Sequence, residues 1–354
     1  MSAKMARPLT KTRGIMHGKR RTHRLGPSLP LLAVVLLTMA VGCDRAAPGA
    51  DVEYTFALIG PAVDHPAWPV VQAGARHFAT DHPSVHIIFE APQHDTPAAQ
   101  QAAIGRVRQQ RLDAMAVWPV NGAALVGLID DLVGRGVSVV TVGVDAVDSR
   151  RVGFVGWDQR RVGEALADLA GEQIRRGRTL MVLHADGRTE HLAMRWQALQ
   201  SAMLAQTRLK ALMELDCQGS PAVARQWITE RMQRYPDLSG WISLEDWPLR
   251  GVAEPESLLP AGCVMITCHP GPAYWLMVAD GEAAFVATDY FEWGWRAMWI
   301  AYNVVRKVPL EAPDYYTPVE QVTAGNLPAW QQRWHGWVGT LPTATTTRGA
   351  NPVE

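Results

Sequence analysis

Cysteine is scarce in this 354-residue chain, with only four residues, and none shows the Cys-x-x-Cys or mixed Cys/His spacing that holds zinc. No metal site is expected, and no cofactor. The first strand-like run ends in Gly60-Pro61, without the further glycines a dinucleotide phosphate needs. No His pair stands four apart with a Glu between, and no Gly-x-Ser-x-Gly elbow presents a nucleophile. The scattered histidines His65, His184, His191 and His269 therefore define no catalytic set, and the chain does not read as an enzyme. Long apolar runs are absent too. The longest, Leu29 to Val41, has 13 residues against roughly 20 for a membrane span.

Acidic residues are missing from positions 1–43, which carry eight Lys and Arg. The remainder then holds 26 basic against 34 acidic side chains, a net of −8 that argues against nucleic acid as a partner. A basic start, a short apolar block and a small residue before the break describe an export signal over residues 1–43. Ala40-Val41-Gly42-Cys43 resembles the lipobox of bacterial lipoproteins, in which the cysteine becomes the lipidated first residue. That resemblance implies attachment to the membrane through lipid at Cys43, in the periplasm or cell envelope; a plain cleaved signal is the alternative. Of the other cysteines, Cys263 and Cys268 lie five apart and so on opposite faces of a strand, which forbids a bond between them. A Cys217–Cys263 bridge stays open.

After a polar tether at residues 44–52, short apolar runs alternate with amphipathic stretches. Tyr54–Ile59, Val85–Glu90, Ala114–Pro119, Ser138–Gly143 and Val152–Gly156 read as strands, with helices over Pro69–Thr80, Pro97–Gln110 and Gly122–Gly134. The pattern restarts with a helix at Arg160–Arg176. Strands follow at Thr179–His184, Leu209–Leu215, Trp241–Leu244, Val264–Thr267 and Ala284–Thr288. Helices are expected over Glu190–Gln206, Ala222–Tyr235, Ala273–Asp280 and Glu292–Arg306, with an extended piece near Val319–Val322. Continuous apolar runs separated by helix-length segments mark parallel strands covered on both faces. About 310 residues after the signal exceed one comfortable core and point to two α/β lobes. Ligands of such sheets bind beyond the carboxyl ends of the strands.

Three stretches carry a family resemblance. They are Phe56–Ala79, Val140–Ile174 (with Gly156, Asp158 and Gly163 in a strand–Gly-x-Asp–helix arrangement) and Asp280–Pro309. In order and spacing they resemble type I periplasmic binding proteins, the ribose-binding-like substrate carriers of ABC importers. The resemblance implies two Rossmann-like lobes joined by a three-segment hinge, with crossings near Gly156–Asp158, Thr288–Asp289 and Thr317–Val322. Lobe one would comprise 53–157 plus 289–317, and lobe two 158–288 plus 318–342, followed by a tail at 343–354.

Carried over by position, Asp64-His65 fall where a ligand-binding Asn pair is usual, and Trp68 falls on a stacking aromatic. Asp158 matches the hinge aspartate. The usual Asp-Arg pair is replaced by Gly143-Val144, with Asp145 a place or two late, and the arginine expected in the helix after the sixth strand falls on Leu192. Glu245-Asp246 stand for an Asn-Asp, and Cys268-His269 for the aspartate of a Phe-Asp-Gly turn. Tryptophan is abundant, 14 residues against 6 Phe. Trp118, Trp157 and Trp247 follow strands, while Trp196, Trp295, Trp299, Trp330, Trp334 and Trp337 are expected in lobe packing. Asp64, Glu245, Asp246 and Asp289 make an acidic rim. Indole faces with carboxylates suit a sugar ring or a cation. The resemblance implies a monomer that captures a small polar ligand, sugar or sugar-like, and hands it to a membrane permease. A ligand sensor of the same fold, signalling to a membrane kinase or chemoreceptor, and a cationic or nucleoside-like ligand, are the alternatives.

Overall fold

The computed structural model describes residues 53–175, 177, 179–185, 189–206, 209–255 and 258–339. The expected export signal at 1–43 with Cys43, the expected tether at 44–52 and the expected tail at 343–354 lie outside the described residues. Two six-stranded sheets are present. The first is built from β1 (Tyr54–Ile59), α1 (Trp68–Asp81), β2 (Val85–Glu90), α2 (Pro97–Val107), β3 (Ala114–Val117), α3 (Gly122–Gly134), β4 (Ser138–Val142) and β5 (Gly153–Gly156). The chain then enters the second through α4 (Gln159–Gln173), β6 (Thr179–His184), α5 (Glu190–Ala205), β7 (Lys210–Asp216), α6 (Pro221–Arg234), β8 (Gly240–Ser243), β9 (Val264–Cys268), α7 (Trp275–Ala279) and β10 (Ala283–Ala287). It returns with α8 (Tyr290–Val305) and β11 (Asp314–Tyr316), then crosses again to β12 (Glu320–Val322) and α9 (Leu327–Gly339).

Strand order is β11-β5-β4-β3-β1-β2 in one sheet and β12-β10-β9-β8-β6-β7 in the other. Every pairing is parallel except the antiparallel β10–β12 edge. Strands β3, β5, β8, β9 and β10 are buried along their whole length, which is why they read as unbroken apolar runs. In each lobe the order reverses once, between β1 and β3 and between β6 and β8. Such switch points leave a crevice above the strand ends.

Helices α1 and α8 meet at glycine. A Cβ on Gly74 would stand 1.9 Å from the carbonyl oxygen of Phe291, and one on Gly294 would stand 1.8 Å from that of Val71. Gly163 of α4 likewise lies under the backbone of Arg195, at 2.2 Å from its carbonyl oxygen to the added Cβ.

The three crossing segments converge on Thr317. Its N–H donates to the carbonyl of Gly156 at 2.7 Å, and its hydroxyl accepts from the Trp293 indole at 2.8 Å and lies 2.8 Å from the hydroxyl of Thr288.

Two elements had no counterpart in the sequence reading. β11 is a three-residue polar edge strand, paired only with β5. Helix α9 buries Leu327, Trp330 and Trp334, one helical stripe in a segment read only as packing. Cys217, Cys263 and Cys268 are free and buried, so no Cys217–Cys263 bridge forms. Burial pushes the Cys217 and Cys263 thiols up to about 12. No described helix is long and apolar enough to cross a membrane.

Candidate functional site

Both switch points open onto one cavity of about 380 Å³ between the lobes. Lobe one supplies Pro61 and His65 after β1, Asp95 after β2, and Trp118 to Asn121 after β3. Lobe two supplies Thr189 and His191 around the start of α5, Gln218 after β7, Glu245, Trp247 and Arg250 after β8, and His269 after β9.

Gln100, fully buried in α2, braces the lobe-one crevice. Its amide N–H groups donate to the carbonyls of Gly60 (2.9 Å) and Trp118 (2.7 Å), and its oxygen accepts from Val120 N–H at 2.9 Å. One side chain thus ties the loops after β1 and β3 together.

On the other wall, Arg195 is the central residue. It projects from α5 and is 1% exposed. Its Nη1 donates to Glu245 Oε1 at 2.6 Å and to the carbonyl of Leu244, and its Nη2 donates to Gln159 Oε1 at 2.7 Å. The other oxygen of Glu245 lies 2.9 Å from His269 Nε2, and His269 Nδ1 lies 2.9 Å from the Tyr290 hydroxyl. Burial alone would raise the Glu245 carboxyl, but Arg195 and then His269 hold it well below the usual carboxylate range. His269 has a left-handed backbone, φ 64°, a conformation that costs about 1 kcal/mol or more outside glycine. Its ring is fixed at both nitrogens. Burial, with His269 and Arg250 nearby, depresses His65 well below its ordinary value. Burial and then Arg195 bring His191 down to about 3.

The lobes touch through these groups. The rings of His65 and His269 are 4.8 Å apart at their centroids, and His65 also sits edge-on to Trp118 at 4.5 Å. Arg250 reaches across to Asp95 at 2.5 Å while donating to Asp246 Oδ1 at 2.5 Å. Tyr274 donates to the other oxygen of Asp246 at 3.2 Å.

Of the residues singled out by sequence, His65, Trp118, Glu245, Trp247 and His269 line this cavity. Trp68 does not. It is buried at the start of α1 with its ring over Gly60, where an added Cβ would come within 2.8 Å of the indole. Across the cleft it is His65 that meets His269 and Asp95 that meets Arg250. Asp64 is exposed and outside the lining. Asp246 is wholly buried behind the wall, enclosed by Arg250 and Tyr274. Asp289 caps α8 by accepting from Glu292 N–H at 2.9 Å. Asp145 is held by Arg151, Thr141 and Ala146 N–H, and Asp158 caps α4 through Arg160 N–H; both border a neighbouring cavity. Arg195, Arg250, Asp95 and Gln100 were not anticipated. The arginine expected at Leu192 stands one turn later on the same helix face, at Arg195.

A cleft between two doubly wound lobes, lined by both and spanned by a three-segment hinge, defines a ligand-capturing binding protein. Residues 56–307 match the model of the periplasmic binding protein domain, and the chain belongs to that family, one of solute-binding rather than catalytic proteins. Among curated proteins, no sequence matches the chain. Solved structures share the fold. An ABC transporter solute-binding protein from Agrobacterium vitis, bound to α-D-tagatopyranose, aligns with TM-score 0.72 and 17% identity over 79% of this chain and 98% of its own. A carbohydrate transporter solute-binding protein from Agrobacterium radiobacter with D-arabinose gives 0.70 and 18%, over 80% and 98%. GanP, a glucose-galactose binding protein from Geobacillus stearothermophilus, gives 0.68 and 19%, over 78% and 99%.

Proposed function

We propose that this chain is the solute-binding protein of an ABC importer, capturing a small neutral polyhydroxylated ligand, a sugar or close relative, for a membrane permease. The observation that carries the reading is the pair of switch points facing each other across a cavity of about 380 Å³, within the size range of small-molecule sites. A ligand touching both walls favours the closed state, since only there do both lobes reach it. The electrostatics favour a neutral ligand over a cation. Glu245 is matched by Arg195, and Asp246 and Asp95 share Arg250. Trp118 and Trp247 supply apolar faces, while His65, Asn121, Thr189, His191 and Gln218 supply polar edges. The sugars named for the solved relatives agree with this class.

The same reading assigns residues 1–43 to an export signal, with Cys43 as lipid anchor, and takes the protein to work as a monomer. It divides the chain into lobe one at 53–157 plus 289–317 and lobe two at 158–288 plus 318–342. Replacing Cys43 with Ser should release the protein from the membrane fraction; unchanged anchoring would exclude the lipid. A thermal-shift screen of the exported protein against sugars, polyols, nucleosides and amines tests the ligand class. A true ligand at about 100 times its Kd should add roughly 2.7 kcal/mol of stability. Stabilisation by amines alone would overturn the reading.

A further inference from the structure

Beside His191 lies a further space. A second cavity of about 250 Å³ lies between the lobes on the side of β5 and β11, and His191 borders both spaces. Its lobe-one wall includes Val147, Phe154, Trp157 and Tyr316, and its lobe-two wall includes Asp158 and Met194. Tyr316 sits edge-on to Phe154 at 5.7 Å and is 58% exposed, and Val147 is 54% exposed. Two exposed apolar side chains thus stand at a cleft edge where both lobes meet.

The polar groups here suit hydroxyls more than a net charge. Asp145 is neutralised by Arg151, with Nε 2.5 Å from Oδ1. Asp158 accepts from Arg160 N–H through one oxygen, and the Arg160 side chain lines the same space as Glu190. An aromatic and aliphatic wall with hydrogen-bonding groups of both signs at its rim is what a pyranose or furanose ring presents a match for. Because both cavities take walls from both lobes, one ligand filling them would be enclosed by the same closure.

We propose that this second cavity is a subsite for a further sugar ring, so that the chain takes a disaccharide or glycoside threaded past His191 rather than a lone monosaccharide. The proposal rests on the saccharide reading above. Calorimetry of the exported protein against maltose, cellobiose, lactose and melibiose, and against D-glucose and D-galactose, tests it. At least one disaccharide should bind about tenfold or more tighter than both of its constituent rings. Met194→Trp, which fills the space from α5, and Tyr316→Ala, which strips its outer wall, should each weaken that disaccharide about tenfold. Both should leave monosaccharide binding within about twofold. Circular dichroism melts establish that each variant is folded, and the wild-type comparison decides even where one is not. Monosaccharides binding as tightly as every disaccharide, or a disaccharide indifferent to folded Met194→Trp and Tyr316→Ala, would overturn the subsite and leave the saccharide reading standing. Binding of no saccharide at all would overturn both.

Discussion

The guanidinium of Arg250 lies 2.5 Å from the carboxylate of Asp95, and the two residues stand on opposite lobes. This ion pair latches the cleft at its rim. About a third of the Asp95 side chain is exposed, so solvent screens the pair, and its worth is about 1 kcal/mol or less. Asp95→Ala should accordingly move the ligand-free protein toward an open form by up to about fivefold. Small-angle scattering would show this as a larger radius of gyration without ligand and an unchanged one with ligand. Identical profiles in both states would remove the latch. Arg250→Ala should cost far more in stability, because it also strands the wholly buried Asp246.

The Arg195–Glu245 pair belongs to the fold as much as to the site. Arg195→Leu takes the guanidinium from Glu245, leaving that carboxylate to His269, and strips the oxygen of Gln159 of its donor inside the wall. Removing one partner of a buried ion pair typically costs roughly 3–5 kcal/mol. Thermal or urea unfolding should register a loss on that scale. The double variant Arg195→Leu, Glu245→Leu should recover much of it, since an apolar pair leaves no uncompensated charge. A double variant no more stable than the single would mean that Arg195 acts mainly through Gln159.

Much of the architecture was legible because parallel strands buried on both faces appear as continuous apolar runs, such as Ala114–Val117 and Ala283–Ala287. Short polar β11 offers no such run. The stripe Leu327, Trp330, Trp334 had helical spacing, yet its tryptophans drew attention as single residues. For the site, the loops were legible and the side-chain directions were not. His65 lines the cavity while its neighbour Asp64 points to solvent, and Glu245 lines it while Asp246 is sealed behind. Periodicity gives no orientation within a loop. Arg195 did carry a signal: it shares a helix face with Leu192 and Leu199, both buried, where an arginine must find partners. Asp95 and Arg250 are 155 residues apart, and nothing local joins them.

Acid should loosen the cleft through His65. Its folded-state pKa lies well below the unfolded value near 6.5, chiefly through burial. The unfolded chain therefore binds the extra proton first, and stability that is present above about pH 6.5 falls as pH drops below it. The slope from this ring is up to about 1.4 kcal/mol per pH unit. Groups facing it are His269, Arg250 and Glu245, so a proton on His65 also meets positive Arg250. His65→Gln should flatten the fall between pH 6.5 and 5 in chemical denaturation series. An unchanged slope would assign the acid sensitivity to other groups, His191 first.

Gly294→Ala tests how closely α1 and α8 must approach. The added methyl would stand 1.8 Å from the Val71 carbonyl oxygen and 2.9 Å from the Ala75 nitrogen, and backbone cannot step aside as a flexible side chain can. The helices would have to separate, at a cost of roughly 1–3 kcal/mol for such overpacking. Gly127→Ala on α3, where nothing lies within 4 Å of the added atom, should be neutral or mildly stabilising. Equal melting temperatures for the two variants would refute the close contact.

Three tryptophans separate binding from folding. Trp118 and Trp247 border the cavity, whereas Trp68 lies against Gly60 inside lobe one. Trp247→Ala should weaken a bound ligand by roughly 1–3 kcal/mol, the scale of a lost aromatic contact. Trp118 also packs edge-on against Trp293 at 5.1 Å, so its loss should lower both affinity and melting temperature. Trp68→Ala should cost roughly 3–5 kcal/mol of stability, as a buried aromatic replaced by a cavity. The protein that remains folded should bind with nearly unchanged affinity. Calorimetry on a ligand-positive sample, paired with thermal melts, distinguishes these outcomes. If Trp68→Ala lost affinity while keeping its melting temperature, the indole would have to turn out of lobe one and into the cleft when ligand arrives.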